Sequence, residues 1–201
     1  MPSSQDNDGQ ATLTVRRGRR GDLGFIRELL VESLTESIPD RRDIPSQQIR
    51  DRATAEIDLE DMLSRRREFA FLVAAMGDEP AGFLILELNQ IEETTGEQQT
   101  LIYHLAVAPA YLGLRVDRQL IAEAAKLTHS RGCRYMIGRI SASNRRAVLS
   151  ALRQGFELER HQVVMACGPD GSEPMPGRSE AEKHHDVRRL AQKKSRRKPQ
   201  S

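Results

Sequence analysis

The sequence predicts an α/β (α+β) fold, a mixed sheet flanked by helices on both faces. Three observations predict it. Two apolar runs separated by the turn "GDEP", 77–80, make a hairpin, so part of the sheet is antiparallel. Later in the chain, strand-like and helix-like stretches alternate, which calls for crossover connections and parallel pairing. The 201 residues suit one domain with appendages, and its core must be aliphatic, because aromatic residues make up only 4% and Trp is absent.

Residues 1–11 are polar and read as a disordered tail. "TLTVRRG", 12–18, alternates enough for a short strand. Asp22 is placed to cap a helix whose apolar stripe is Phe25, Ile26, Leu29 and Leu30. Pro39 and Pro45 bracket a loop, and 46–66 reads as a second, highly charged surface helix with a thin apolar face. "EFAFLVAAM", 68–76, and "AGFLILELN", 81–89, are the hairpin strands. "TLIYHLAVA", 100–108, is the next strand. A helix from Val116 follows, ended by Gly132. "CRYMIGRIS", 133–141, is a strand, and 143–155 is a helix with Asn144 near its start and Gly155 at its end. "FELERHQVVMACG", 156–168, reads as a final strand or strand pair, closing a domain over 12–168. Residues 169–182 are a linker rich in Gly, Pro, Ser and Glu, and the rest is a basic tail.

Composition narrows the function. The net charge of +2 hides an asymmetry: residues 170–201 carry nine Lys/Arg against five Asp/Glu, so the domain proper is slightly acidic. Few aromatics argue against a base-stacking nucleic-acid surface. Cys133 and Cys167 are too few and too far apart for a disulfide framework or a zinc site, and a reduced compartment is the default. The adjacent His184 and His185 do not make a metal site. No apolar run approaches a membrane span, and the polar N-terminus lacks a signal-peptide pattern. The expected location is cytoplasmic, with no membrane partner.

Two motifs carry chemistry. "VAPAYLGLRVDRQL", 107–120, joins a buried strand to a helix. A helix N-terminus offers unpaired N–H donors and a partial positive charge to an anion. "HLAVAPAYLG", 104–113, and "NRRAVLSALRQGF", 144–156, together with the element order from about Leu13 to Cys167, resemble the GNAT superfamily of acyl-CoA-dependent N-acyltransferases. That resemblance implies a mostly antiparallel central sheet and an acetyl-CoA site. Backbone donors over Leu112, Gly113, Leu114, Arg115, Val116, Asp117 and Arg118 would hold the pyrophosphate. Leu105, Ala106 and Val107 would hydrogen-bond the pantetheine arm, and Asn144 would contact the cofactor.

The chain departs from the family at three cradle positions, where Leu112, Arg115 and Asp117 replace Arg/Gln, Gly and Gly/Ala. Arg115 adds bulk where the phosphate is expected, and Asp117 puts a carboxylate in the first helical turn. A carboxylate about 5 Å from a phosphate costs on the order of 1–3 kcal/mol at intermediate dielectric. Arg115 and Arg118 could offset that charge. Ala151 stands where many members carry the Tyr that protonates the departing thiolate.

For a proton acceptor the candidates are His104, on the central strand three residues before Val107, and Glu87, on the neighbouring strand. Tyr103 alternates to the opposite face from His104 unless a bulge intervenes, and so reads as core.

The resulting expectation is an N-acyltransferase moving an acetyl group from acetyl-CoA to a small-molecule or protein amine, with residues 34–66 forming part of the acceptor pocket. The alternative is a catalytically inactive binding or regulatory module of the same fold. Its basic segment 188–198, with seven Lys/Arg and no acid, would contact nucleic acid or a ribonucleoprotein without sequence choice. No metal is expected. The oligomeric state is open, a homodimer included.

Overall fold

The computed structural model describes residues 12–36, 38 and 44–162. Up to Glu157 these belong to one compact unit, and 158–162 belong to a second, where they carry no regular secondary structure. Within the first unit a five-stranded sheet has the order β1 (Leu13–Arg17), β2 (Phe69–Met76), β3 (Glu79–Ile91), β4 (Gln98–Val107), β5 (Tyr135–Gly138). The first three pairings are antiparallel and β4–β5 is parallel. The sheet is therefore mixed and mostly antiparallel, as expected.

Five α-helices accompany it among the described residues: α1 (Leu23–Glu36), α2 (Ser46–Glu56), α3 (Leu59–Ser64), α4 (Val116–Ser130) and α5 (Arg145–Arg153). Strand alternation splits the core into two layers. On one face Ile26, Leu29 and Leu30 of α1 and Leu59 of α3 meet Phe71, Val73, Phe83, Ile85 and Ala106. On the other, Val116, Leu120 and Ala124 of α4 meet Leu72, Ala74, Leu84, Leu86 and Leu88. The apolar strand segments Ala70–Ala75 and Ala81–Leu86 are buried from both sides, which explains their lack of polar alternation.

Helix ends follow local chemistry. Gly132, at φ +79, lets the Gly132 and Cys133 amides reach back to the carbonyls of His129 and Thr128. Gly155, at φ +97, does the same for Gly155 and Phe156 onto Leu152 and Ala151. Asn144 Oδ1 accepts from the Ala147 amide at 3.0 Å and starts α5. Cys133 is a buried free thiol.

Three expectations need correction. The stretch 46–66 is two helices, because the Asp58 carboxylate takes the amides of Glu60 and Asp61 (3.0 and 2.9 Å) and starts a new turn. Asp22 does not cap α1. It closes a 3₁₀ turn and turns back to the Arg19 amide and, through two 2.7 Å bonds, to the Arg16 guanidinium. That guanidinium holds the Asp22 carboxyl below the usual range, against the opposing effect of burial. Finally, 156–162 form no strand: the amide of Phe156 is spent closing α5, and the charged residues after it are exposed. The remainder of that expected strand, 163–168, lies outside the described residues, as do Cys167, His184, His185 and the basic segment 188–198.

Candidate active site

The site begins where β4 and β5 part. β5 pairs only with Gln99 to Ile102, so from Tyr103 to Val107 the strand keeps β3 on one side and has no strand partner on the other among the described residues. Leu105, Ala106 and Val107 thus lie on a half-paired stretch whose free edge offers backbone donors and acceptors. The strand leads through the 3₁₀ turn Pro109–Tyr111 into α4.

The join at the head of α4 is built around two left-handed residues, Gly113 at φ +89 and Arg115 at φ +61. The Leu112 and Leu114 amides are used within it, donating to the carbonyls of Pro109 and Tyr111 at 3.3 and 3.2 Å. The turn thus spends two amides of the expected donor set on itself. No backbone carbonyl among the described residues takes the amides of Gly113, Arg115, Val116, Asp117 or Arg118. Arg115 holds the left-handed backbone despite its side chain, so the expected obstruction is not accompanied by loss of the turn. Arg115 and Arg118 are both exposed.

Asp117 faces α5. Its Oδ2 accepts from Ser150 Oγ at 2.7 Å and from Gln154 Nε2 at 3.1 Å, tying the first turn of α4 to the last turns of α5. Asn144 is the cap of α5, with its carbonyl oxygen committed to Ala147.

The sheet face beneath α1 holds the proton-transfer candidates. Ile85 pairs with His104 and Leu86 with Ile102, so Tyr103 is an extra residue, a β-bulge. The bulge turns Tyr103 to the same side as His104, correcting the core reading. Tyr103 is 41% exposed and meets the Phe69 ring edge to face, with centroids 6.4 Å apart. His104 stacks on Phe83 at 5.8 Å, and its Nε2 lies 2.7 Å from Ser33 Oγ. The Ser33 hydroxyl also lies within hydrogen-bond distance of the Leu30 carbonyl, at 3.0 Å. Burial pushes the His104 pKa down to about 4. The ring is therefore neutral at pH 7 and a weak acceptor for an ammonium proton. Glu87, half-buried, pairs with Phe69 on one side and Leu101 on the other, and Gln90 Nε2 donates to its Oε1. Among the described residues no donor takes its Oε2.

Sequence comparison supplies the deciding observation: the model of the acetyltransferase (GNAT) family matches residues 25–156. The chain belongs to the GNAT acetyltransferase family. Solved structures share its GNAT fold. A candidate acetyl transferase from Pyrococcus furiosus is 20% identical, aligns over 77% of this chain and 99% of that one, and gives a TM-score of 0.65. The aminoglycoside N-acetyltransferase AAC(6')-Iy in complex with CoA is 19% identical over 77% of this chain and 98% of that one, with a TM-score of 0.56. A Trypanosoma brucei acetyltransferase is 22% identical over 77% and 99%, at a TM-score of 0.54. No curated protein matches by sequence. The GNAT match takes in the bulged strand, the join and both helices that Asp117 links. No helix among the described residues is long and apolar enough to cross a membrane.

Sequence reasoning missed Tyr103 and Phe69 as site neighbours. The signal available was the bulge itself, and a bulge shows only when the partner strand's register is known.

Proposed function

We propose that this GNAT chain transfers an acetyl group from acetyl-CoA to an amine. The observation that carries the reading is the set of amides at the head of α4, Gly113 and Arg115 to Arg118, left without carbonyl partners among the described residues and held by a left-handed Arg115. Amides at a helix N-terminus suit a pyrophosphate. The free edge of β4 beside it, Tyr103 to Val107, suits the amide groups of a pantetheine arm. Arg115 and Arg118 add positive charge on the same turn, while Asp117 spends its carboxylate on Ser150 and Gln154. The residues present fit the cofactor.

Bound there, acetyl-CoA supplies an activated acyl group as a thioester. Glu87 is the better placed of the two acceptors for the amine's proton, since its Oε2 is open while His104 is packed, neutral and weakly basic. His104 holds the bulge against α1 through Ser33. Backbone donors of β4 near Val107 orient the acyl carbonyl.

Titration calorimetry of the full chain with acetyl-CoA tests the reading. Saturable binding is expected, and no heat at millimolar ligand overturns it.

A second reading keeps the fold without the chemistry: a binding module that contacts nucleic acid through 188–198. The absence of a phenol at Ala151 favours it. Filter binding of RNA and DNA by chains with and without 183–201 tests it, and equal affinity of the two chains removes it.

A further inference from the structure

The bulge puts an aromatic ridge beside an open carboxylate oxygen. Phe69 on β2 and Tyr103 on β4 lie on either side of β3, and their rings meet across it. Glu87 stands on β3 directly opposite Phe69 and shares the Phe83 and Ile85 face by strand alternation. One end of the ridge already takes a cation: the Arg65 guanidinium lies 5.1 Å from the Phe69 centroid. That guanidinium is itself paired with Asp61 and Glu68, so its charge is largely answered. The Tyr103 ring carries no cation among the described residues, and 41% of the residue is exposed. An aromatic face next to a carboxylate is the chemistry that selects an ammonium group over a neutral one of the same size.

On the acyl-transfer reading, we infer that Tyr103 and Glu87 form the seat for the acceptor's ammonium group, so the acceptor is a cationic aliphatic amine. The Tyr103 ring covers the alkyl carbon that bears the nitrogen, and Glu87 Oε2 takes the charge. The bulge serves this seat by bringing Tyr103 onto the face that regular alternation gives to His104 alone. The two are specificity determinants, and for Glu87 the seat adds a positioning task to proton acceptance.

The test uses the full chain without acetyl-CoA, so the seat is read apart from cofactor binding. n-Hexylamine and n-hexanol are titrated by ligand-observed NMR. Hexylamine should bind measurably tighter than hexanol. Glu87→Gln should weaken the amine about 5- to 10-fold and Tyr103→Ala about 3- to 5-fold. Tyr103→Phe, which keeps the ring, should change it less than about twofold, and hexanol should not respond to Glu87→Gln. Equal binding of amine and alcohol, or an amine affinity unmoved in both Glu87→Gln and Tyr103→Ala, overturns the seat. The same samples are titrated with acetyl-CoA. A discriminating seat with no acetyl-CoA heat would end the transferase reading and leave a cation site. Acetyl-CoA heat without amine discrimination would do the reverse.

Discussion

Arg115 is held at φ +61, a region where an L side chain costs about 1–2 kcal/mol. The join needs that conformation, so the chain keeps the turn of a glycine and adds a charge. Two substitutions separate these roles. Arg115→Gly removes the steric cost but frees the unfolded chain by about 0.5–1 kcal/mol, leaving a net gain between about 0 and 1.5 kcal/mol in urea unfolding. Arg115→Ala keeps the steric cost and should gain nothing. Both lose the guanidinium, and both should bind acetyl-CoA roughly 5- to 10-fold more weakly by calorimetry. His104 makes the opposite kind of statement, about stability. Its folded pKa, about 4, lies below the ordinary 6.5, so protons favour the unfolded chain between these values. Stability should be complete above about pH 6.5 and fall as pH drops toward 4, by roughly 3 kcal/mol from this group. Equilibrium unfolding across that range should show the slope, and His104→Phe should remove its share.

At the scale of elements, α5 has no fully buried residue, and Asp117 ties it to α4 through Ser150 and Gln154. Asp117→Asn keeps the shape and removes the charge. Hydrogen bonds to a charged acceptor weaken, costing about 1–2 kcal/mol of stability. The same change takes a negative charge from the first turn of α4, so acetyl-CoA should bind tighter, by about three- to tenfold. Stability and affinity then move in opposite directions in one variant, and a parallel loss of both would show that Asp117 shapes the cradle instead of opposing it. The ends of α4 and α5 were readable in the sequence because glycine at a helix terminus acts locally, through its own φ. The five strands of the sheet were readable because apolar runs and turn residues are also local, whereas the strand expected from Phe156 was not formed over 156–162. The break at Asp58 was not, since a carboxylate can face solvent or seize two amides with the same neighbours in sequence. The shared face of Tyr103 and His104 was not, because the slip in register is set by β3. The proposed cradle was half readable: the strand–helix join it is assigned to was plain in the sequence, but the left-handed Arg115 and the bond from Asp117 to α5 depend on residues 30 or more positions apart or on the turn as a whole.

At the scale of the whole molecule, Gly82 is where sheet, α4 and site meet. It lies on β3 opposite Val107, and a Cβ there would stand 2.8 Å from the Ala106 carbonyl oxygen, 3.1 Å from Val116 Cγ1 and 3.3 Å from Val107 Cα. Two of these three are backbone atoms of β4, and they cannot yield unless the strand moves. Val116 opens α4, so relief on that side moves the helix whose amides form the proposed cradle. Overpacking of this kind costs about 1–3 kcal/mol. Gly82→Ala should therefore lose about 2 kcal/mol of stability and, with it, more acetyl-CoA affinity than either Arg115 variant, although residue 82 itself lies in the core. Gly24 provides the matched control. It is an exposed residue in α1, and a Cβ there would meet nothing within 4 Å. Gly24→Ala should gain up to about 1 kcal/mol from helix propensity and leave acetyl-CoA affinity unchanged. If Gly82→Ala matched Gly24→Ala in both measurements, the close approach of β3 to β4 and α4 would not be what sets the cradle. If it lost stability while keeping its affinity, the cradle would be held by the loop alone. Loss of both places the origin of the site in the packing of the sheet against α4.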